Sequence, residues 1–220
     1  MDTRDIVTHA PELVQTAIDS FGRLDIVINN AGIARFGRMP HLIASGTGRL
    51  INISSSAMLG VPMASRYSAA KAAIWGLGNS FAMEAREFGV QVSTVQPSAW
   101  TSMTEAAFDN PAVLKVLREQ LPPHAVSAFV TWLAHQDTTV YGECFQVSGV
   151  SAGRTTFAAM ERIKIDEATP EAWAANAENL MRDRALTPLR NTDESFRAEL
   201  VFLDPSMESE IPLDASSVAK

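Results

Sequence analysis

The chain of 220 residues holds a single cysteine, Cys144, so no disulfide can form within it. Cys144 stands in the apolar run Cys144-Phe145-Gln146-Val147 with no histidine beside it, which reads as a core residue and not a nucleophile. No basic run appears, and the net charge is -7 with a pI near 5.1, which argues against nucleic acid as a partner. No uninterrupted apolar stretch approaches the ~18 residues of a membrane helix, so no membrane partner is expected. The polar, acidic start carries no signal-peptide pattern, and the cytoplasm is the expected compartment. His9, His41, His124 and His135 show no ligand spacing, so no metal is expected. What is present is ordinary globular composition, 46% hydrophobic and 20% charged, with ample material for a core.

Apolar periodicity divides the chain into alternating elements. Residues 10–21 read as an amphipathic helix with Pro11 in its first turn, ended by Gly22. The run Leu24-Asp25-Ile26-Val27-Ile28-Asn29 reads as a buried parallel strand, stopped by the turn Asn30-Ala31-Gly32. Residues 49–53 and 90–95 read as further strands, the latter stopped by Pro97, and residues 143–150 as a fourth. Residues 68–88 and 123–135 read as helices. Strands alternating with helices predict an α/β fold, a partial Rossmann-like (doubly wound) parallel sheet flanked by helices, over residues 1–150. Residues 151–220 are expected to form an extension with one helix, 170–184, followed from Leu186 by a loosely packed tail with a disordered end.

Tyr67-Ser68-Ala69-Ala70-Lys71 carries the clearest chemical signal. A tyrosine and a lysine four apart share one helix face. The ammonium favours the phenolate, which suits a general base for an alcohol proton. Ser54 ends the strand at Leu50-Ile51-Asn52-Ile53, where its hydroxyl can hold a substrate oxygen next to the phenol. Ligands of such sheets bind beyond the carboxyl ends of the strands, and Asn30, Ser54 and Pro97 all fall at such ends.

Together these stretches resemble the short-chain dehydrogenase/reductase family. The match rests on the strand running into Asn29-Asn30-Ala31-Gly32, on Asn52-Ile53-Ser54-Ser55-Ser56, on Tyr67 with Lys71, and on Pro97-Ser98-Ala99-Trp100-Thr101, where Ser98 replaces the usual glycine. The resemblance implies an NAD(P)-dependent oxidoreductase acting on a small-molecule alcohol/ketone pair. It implies Tyr67 as general acid/base, Lys71 as the residue that lowers the tyrosine pKa and bonds the nicotinamide ribose, and Ser54 as the substrate-orienting hydroxyl. It implies Asn30, Ala31 and Gly32 against the adenosine half of NAD or NADP, and Asp2 near the adenine. Thr101 would contact the nicotinamide amide or the pyrophosphate, and it has a second reading as a helix cap. Residues 140–147 and the extension resemble the branch with hydroxyacyl-CoA and steroid dehydrogenases. A homo-oligomer is compatible with the family.

The chain departs from that family in two places. No Gly-x-x-x-Gly-x-Gly pattern precedes Asn29, so the first βαβ units are expected to be absent and the chain truncated. The stretch from Gly32 to Ser54 is also short, which leaves room for only the end of a helix around residues 39–45. The strand at Leu24 should then expose an apolar edge, and cofactor binding by this chain alone is expected to be weak. A non-catalytic remnant or an oligomerisation partner of a full-length relative is the alternative reading.

Overall fold

Four short apolar runs pair in sequence order. In the computed structural model, which describes residues 6–30 and 39–211, β1 (Ile26–Asn29), β2 (Arg49–Ile53), β3 (Gln91–Ser98) and β4 (Cys144–Ser148) form a parallel array. β5 (Ser151–Thr155) returns antiparallel along β4, giving the order β1-β2-β3-β4-β5. The chain divides into two compact units, Met1–Thr155 and Thr156–Lys220.

Strand alternation sends the sheet's side chains to two cores. Val27, Leu50 and Val92 meet Phe81, Ala82 and Ala85 of α3 (Ser65–Ala85), with Leu42 of α2 (Met39–Ser45) in the same cluster. Ile51, Val95, Phe145 and Val147 meet Leu133 of α6 (Pro123–Ala134), backed by Val126, Phe129 and Val130. Helices on both faces are what near-continuous apolar strands require. The short connection into β2 closes tightly: a Cβ on Gly48 would lie 2.5 Å from the Leu42 carbonyl oxygen.

Several boundaries differ from the sequence reading. α1 spans Ile6–Phe21, so Pro11 lies inside it and not in its first turn. α3 begins at Ser65, and its last residues tighten into a 3-10 turn over Arg86–Phe88 before Gly89. β3 runs through Pro97 to Ser98. The reason is local. Pairing with β2 ends at Val95, while pairing with β4 continues to Ser148. Thr94 N–H donates towards β4 and successive residues alternate, so position 97 turns to the side where β2 has already stopped. Two helices absent from the sequence reading, α4 (Ser102–Ala107) and α5 (Pro111–Gln120), follow β3.

The second unit is more regular than a loose tail. β6 (Phe157–Met160) and β7 (Leu186–Leu189) pair antiparallel. The helix expected over residues 170–184 breaks at Asn176 into α7 (Pro170–Ala175) and α8 (Ala177–Leu180). α9 (Thr192–Leu203), capped by the Asn191 side chain, and α10 (Met207–Glu210) follow. None of residues 156–211 is buried.

Candidate active site

Ser54 follows the last residue of β2 and is 2% exposed. Its backbone N–H donates to the Val95 carbonyl at 2.7 Å, which anchors the strand end to β3. Its Oγ donates to the Lys71 carbonyl at 2.7 Å. A carbonyl cannot donate, so the hydroxyl proton lies on that bond and the oxygen presents lone pairs to any other partner. Lys71 reaches back in return: its Nζ donates to the Ile53 carbonyl at 3.0 Å. The two bonds cross-tie the end of β2 to the second turn of α3.

Tyr67 lies one turn before Lys71 on the same stripe of α3 and is 42% exposed. The Lys71 ammonium is 5.8 Å from the centre of the Tyr67 ring, within cation–π range. Around this group the loop is pinned by hydroxyls of its own and of α3. Ser55 caps the short turn Ser56–Leu59 by accepting from Ala57 N–H, and Ser68 Oγ accepts from Val61 N–H at 3.1 Å. Ser54 and Lys71 are thus tied together at the carboxyl end of β2, with Tyr67 one helical turn from Lys71.

The other expected site residues fare differently. Asn30 is exposed just past β1, and its N–H donates to the Ile28 carbonyl. Thr101 is the N-cap of α4 and forms a capping box with Thr104: Thr104 N–H donates to Thr101 Oγ1 at 3.3 Å and Thr101 N–H to Thr104 Oγ1 at 2.7 Å. Asp2, Ala31 and Gly32 lie outside the described residues.

Sequence reasoning missed a polar layer beneath α3. Asn29 Nδ2 donates to Asn52 Oδ1 at 3.2 Å, both side chains being buried. Buried Gln96 donates to Met58 Sδ and to Cys144 Sγ, each at 3.3 Å. Burial pushes the Cys144 thiol up to about 11, against the favourable bond from Gln96. The signal was available: Asn52 and Ser54 are two apart on one strand, hence on one face. Among the described residues no group of three or more His, Cys, Asp or Glu could hold a metal, and no helix is long and apolar enough to cross a membrane.

A nicotinamide dinucleotide can be tested against these atoms. Lys71 Nζ has three donors, one of which goes to Ile53, so a sugar hydroxyl can be bonded beside Tyr67. The ribose is the part of such a ligand that these donors suit.

A model of the family described as short chain dehydrogenase matches residues 37–112. The chain is 30% identical over 170 residues to the 3-oxoacyl-[acyl-carrier-protein] reductase of Synechocystis sp., covering 63% of this chain and 69% of that protein. It is 32% identical over 208 residues to peroxisomal multifunctional enzyme type 2 of Mus musculus, covering 80% of this chain and 28% of the relative. The crystal structure of a short chain dehydrogenase from Mycobacterium avium superposes with a TM-score of 0.67 at 29% identity, over 85% of this chain and 74% of that one. The chain spans less than half the length of its peroxisomal multifunctional relatives.

Proposed function

The chain belongs to the short-chain dehydrogenase family, and from that premise we propose that it carries the proton-handling half of an NAD(P)-dependent alcohol/ketone oxidoreductase. The observation that carries this reading is the double tie between the Ser54 end of β2 and Lys71, with Tyr67 one turn away on the same helix stripe. In the oxidative direction the substrate hydroxyl turns its one proton to Tyr67, and Ser54 Oγ turns its own proton from Lys71 O to donate to the substrate oxygen. Tyr67, as phenolate, takes the hydroxyl proton. The carbinol C–H bond breaks with its electron pair, and the C=O bond forms. When bound, the nicotinamide supplies the hydride acceptor, or the donor in the reverse direction. Lys71, whose ammonium is 5.8 Å from the centre of the Tyr67 ring, would bind the nicotinamide ribose. Asn30, Ala31 and Gly32 would hold the adenosine half, Thr101 the nicotinamide amide or pyrophosphate, and Asp2 the adenine.

The names of the relatives favour an acyl thioester as the ketone-bearing substrate: a 3-oxoacyl carrier protein is named for one of them. A second reading, a catalytically silent partner of a complete relative, draws on β1. Ile26 and Ile28 are 44% and 49% exposed on that strand.

Titration with NADH and NADPH, followed by nicotinamide fluorescence, separates the two readings. Saturable binding, then turnover of 3-hydroxyacyl thioesters that Tyr67→Phe lowers by roughly 10²–10⁴, is the expected result. A folded chain that binds neither nucleotide would leave the silent-partner reading in its place.

A further inference from the structure

α3 meets the sheet at a glycine. Tyr67, Lys71, Ile74, Gly78, Phe81 and Ala85 recur at helical spacing and form one stripe, buried from Ile74 onward. Beneath Gly78 the sheet presents polar side chains. Asn29, Asn52 and Thr94 are register partners on three adjacent strands, and all three are buried. Asn52 is 0% exposed; its Oδ1 accepts from Asn29, and its Nδ2 has no hydrogen-bond partner among the described residues. A Cβ added to Gly78 would lie 2.5 Å from Thr94 Oγ1 and 3.3 Å from Asn52 Nδ2. The first distance is shorter than any real contact allows, and Thr94, short and β-branched, has little freedom to yield.

We infer that Asn52, Thr94 and Gly78 form a seat that fixes the height of α3 above the sheet, and that they are positioning residues for Ser54, Tyr67 and Lys71. The inference rests on the catalytic reading of those three. The physical link is the helix itself. Two turns separate Gly78 from Lys71, and a hydrogen-bonded helix moves as a rod over that length. Lifting α3 at Gly78 lengthens the Ser54 Oγ–Lys71 O and Lys71 Nζ–Ile53 O bonds together. A misplacement of about 1 Å can cost roughly 10²-fold in rate.

The test compares Gly78→Ala, Thr94→Ala and the double variant by hydrogen exchange and by turnover. Gly78→Ala, shown folded by circular dichroism, should exchange the amides of residues 69–75 about tenfold faster. Its kcat should fall on the order of 10²-fold with KM little changed. Adding Thr94→Ala removes the hydroxyl in the way and should restore both. Unchanged exchange and kcat in folded Gly78→Ala, or no rescue by Thr94→Ala, would overturn the seat. If Gly78→Ala does not fold, Thr94→Ala alone decides: it empties the seat from the sheet side, and unchanged exchange at residues 69–75 overturns the inference. Absence of turnover in the parent chain would count against the oxidoreductase reading, while exchange still judges the seat.

Discussion

Ser54 and Lys71 hold each other's neighbourhoods in place: the serine hydroxyl donates to the lysine's carbonyl, and the lysine's ammonium donates to the carbonyl just before the serine. A strand end and a helix turn are thereby joined by two candidate catalytic side chains. Ser54→Ala should consequently lower stability as well as activity. Loss of one buried hydrogen bond costs about 1 kcal/mol, or about 2–4 °C in melting temperature for a chain of this size. Calorimetry of Ser54→Ala beside Tyr67→Phe checks it. The half-exposed tyrosine should melt within about 0.5 kcal/mol of the parent, and equal losses in the two variants would contradict the cross-tie.

The outer edge of β1 should drive self-association. Ile26 and Ile28 project from the end strand of the sheet, and no further strand pairs with β1 among the described residues. Apolar edge strands template pairing, and a lysine on the edge blunts it. Sedimentation velocity over a concentration series should show less association for Ile26→Lys than for the parent chain. Matching profiles would mean that the edge is not the contact.

Alkaline stability should depend on Cys144. Burial raises the folded thiol to about 11, whereas an unfolded cysteine titrates near ~8.5. Below ~8.5 both states keep the proton, and the contribution is fully present. Between ~8.5 and about 11 the unfolded state sheds its proton and the folded state does not, so stability falls by up to roughly 1.4 kcal/mol per pH unit. Urea melts at several pH values from 7 to 10 should decline more steeply for the parent than for Cys144→Ala. Parallel curves would rule the thiol out as the cause.

Gly149→Ala should be severely destabilising. Gly149 turns the chain from β4 into β5 at φ 56°, and a Cβ there would lie 2.2 Å from the Gln120 carbonyl oxygen at the end of α5. Left-handed backbone costs an ordinary residue roughly 1–2 kcal/mol, and the collision adds to it. A total on the order of 3 kcal/mol is expected from a denaturant melt. Next door, Trp100 N–H donates to the Leu121 carbonyl, and Arg118 stacks 5.0 Å from the Trp100 ring. Trp100 fluorescence should therefore change in the same variant.

Elements with a local signal were legible in the sequence. The four parallel strands, α3 and α6 each bury one face or both, so their apolar spacing announces them. Ser54, Tyr67 and Lys71 were readable because a strand end and a helix face are themselves local patterns. β6 was not, because Phe-Ala-Ala-Met is exposed at every position and leaves no alternation to read. α5 carried a start signal that went unread: Asn110 accepts from Ala112 N–H, and Pro111 opens the helix. Arg49 shows a different limit. It is a buried arginine at the start of β2, and its guanidinium donates to the Gln136 carbonyl just past α6. No spacing rule connects positions so far apart in the chain, and although Asn52 shares a face with Ser54, nothing local shows that Asn29 and Thr94 stand beside it.

The lack of any buried residue between 156 and 211 has a consequence for how the molecule meets a protease. Cleavage needs a stretch of backbone to leave its structure for a moment, and the cost of leaving scales with the apolar surface it must uncover. β6, β7 and α9 uncover little. A trace of protease should thus trim the polypeptide inward from its carboxyl end and stall where the five-stranded sheet begins to resist, near Thr155.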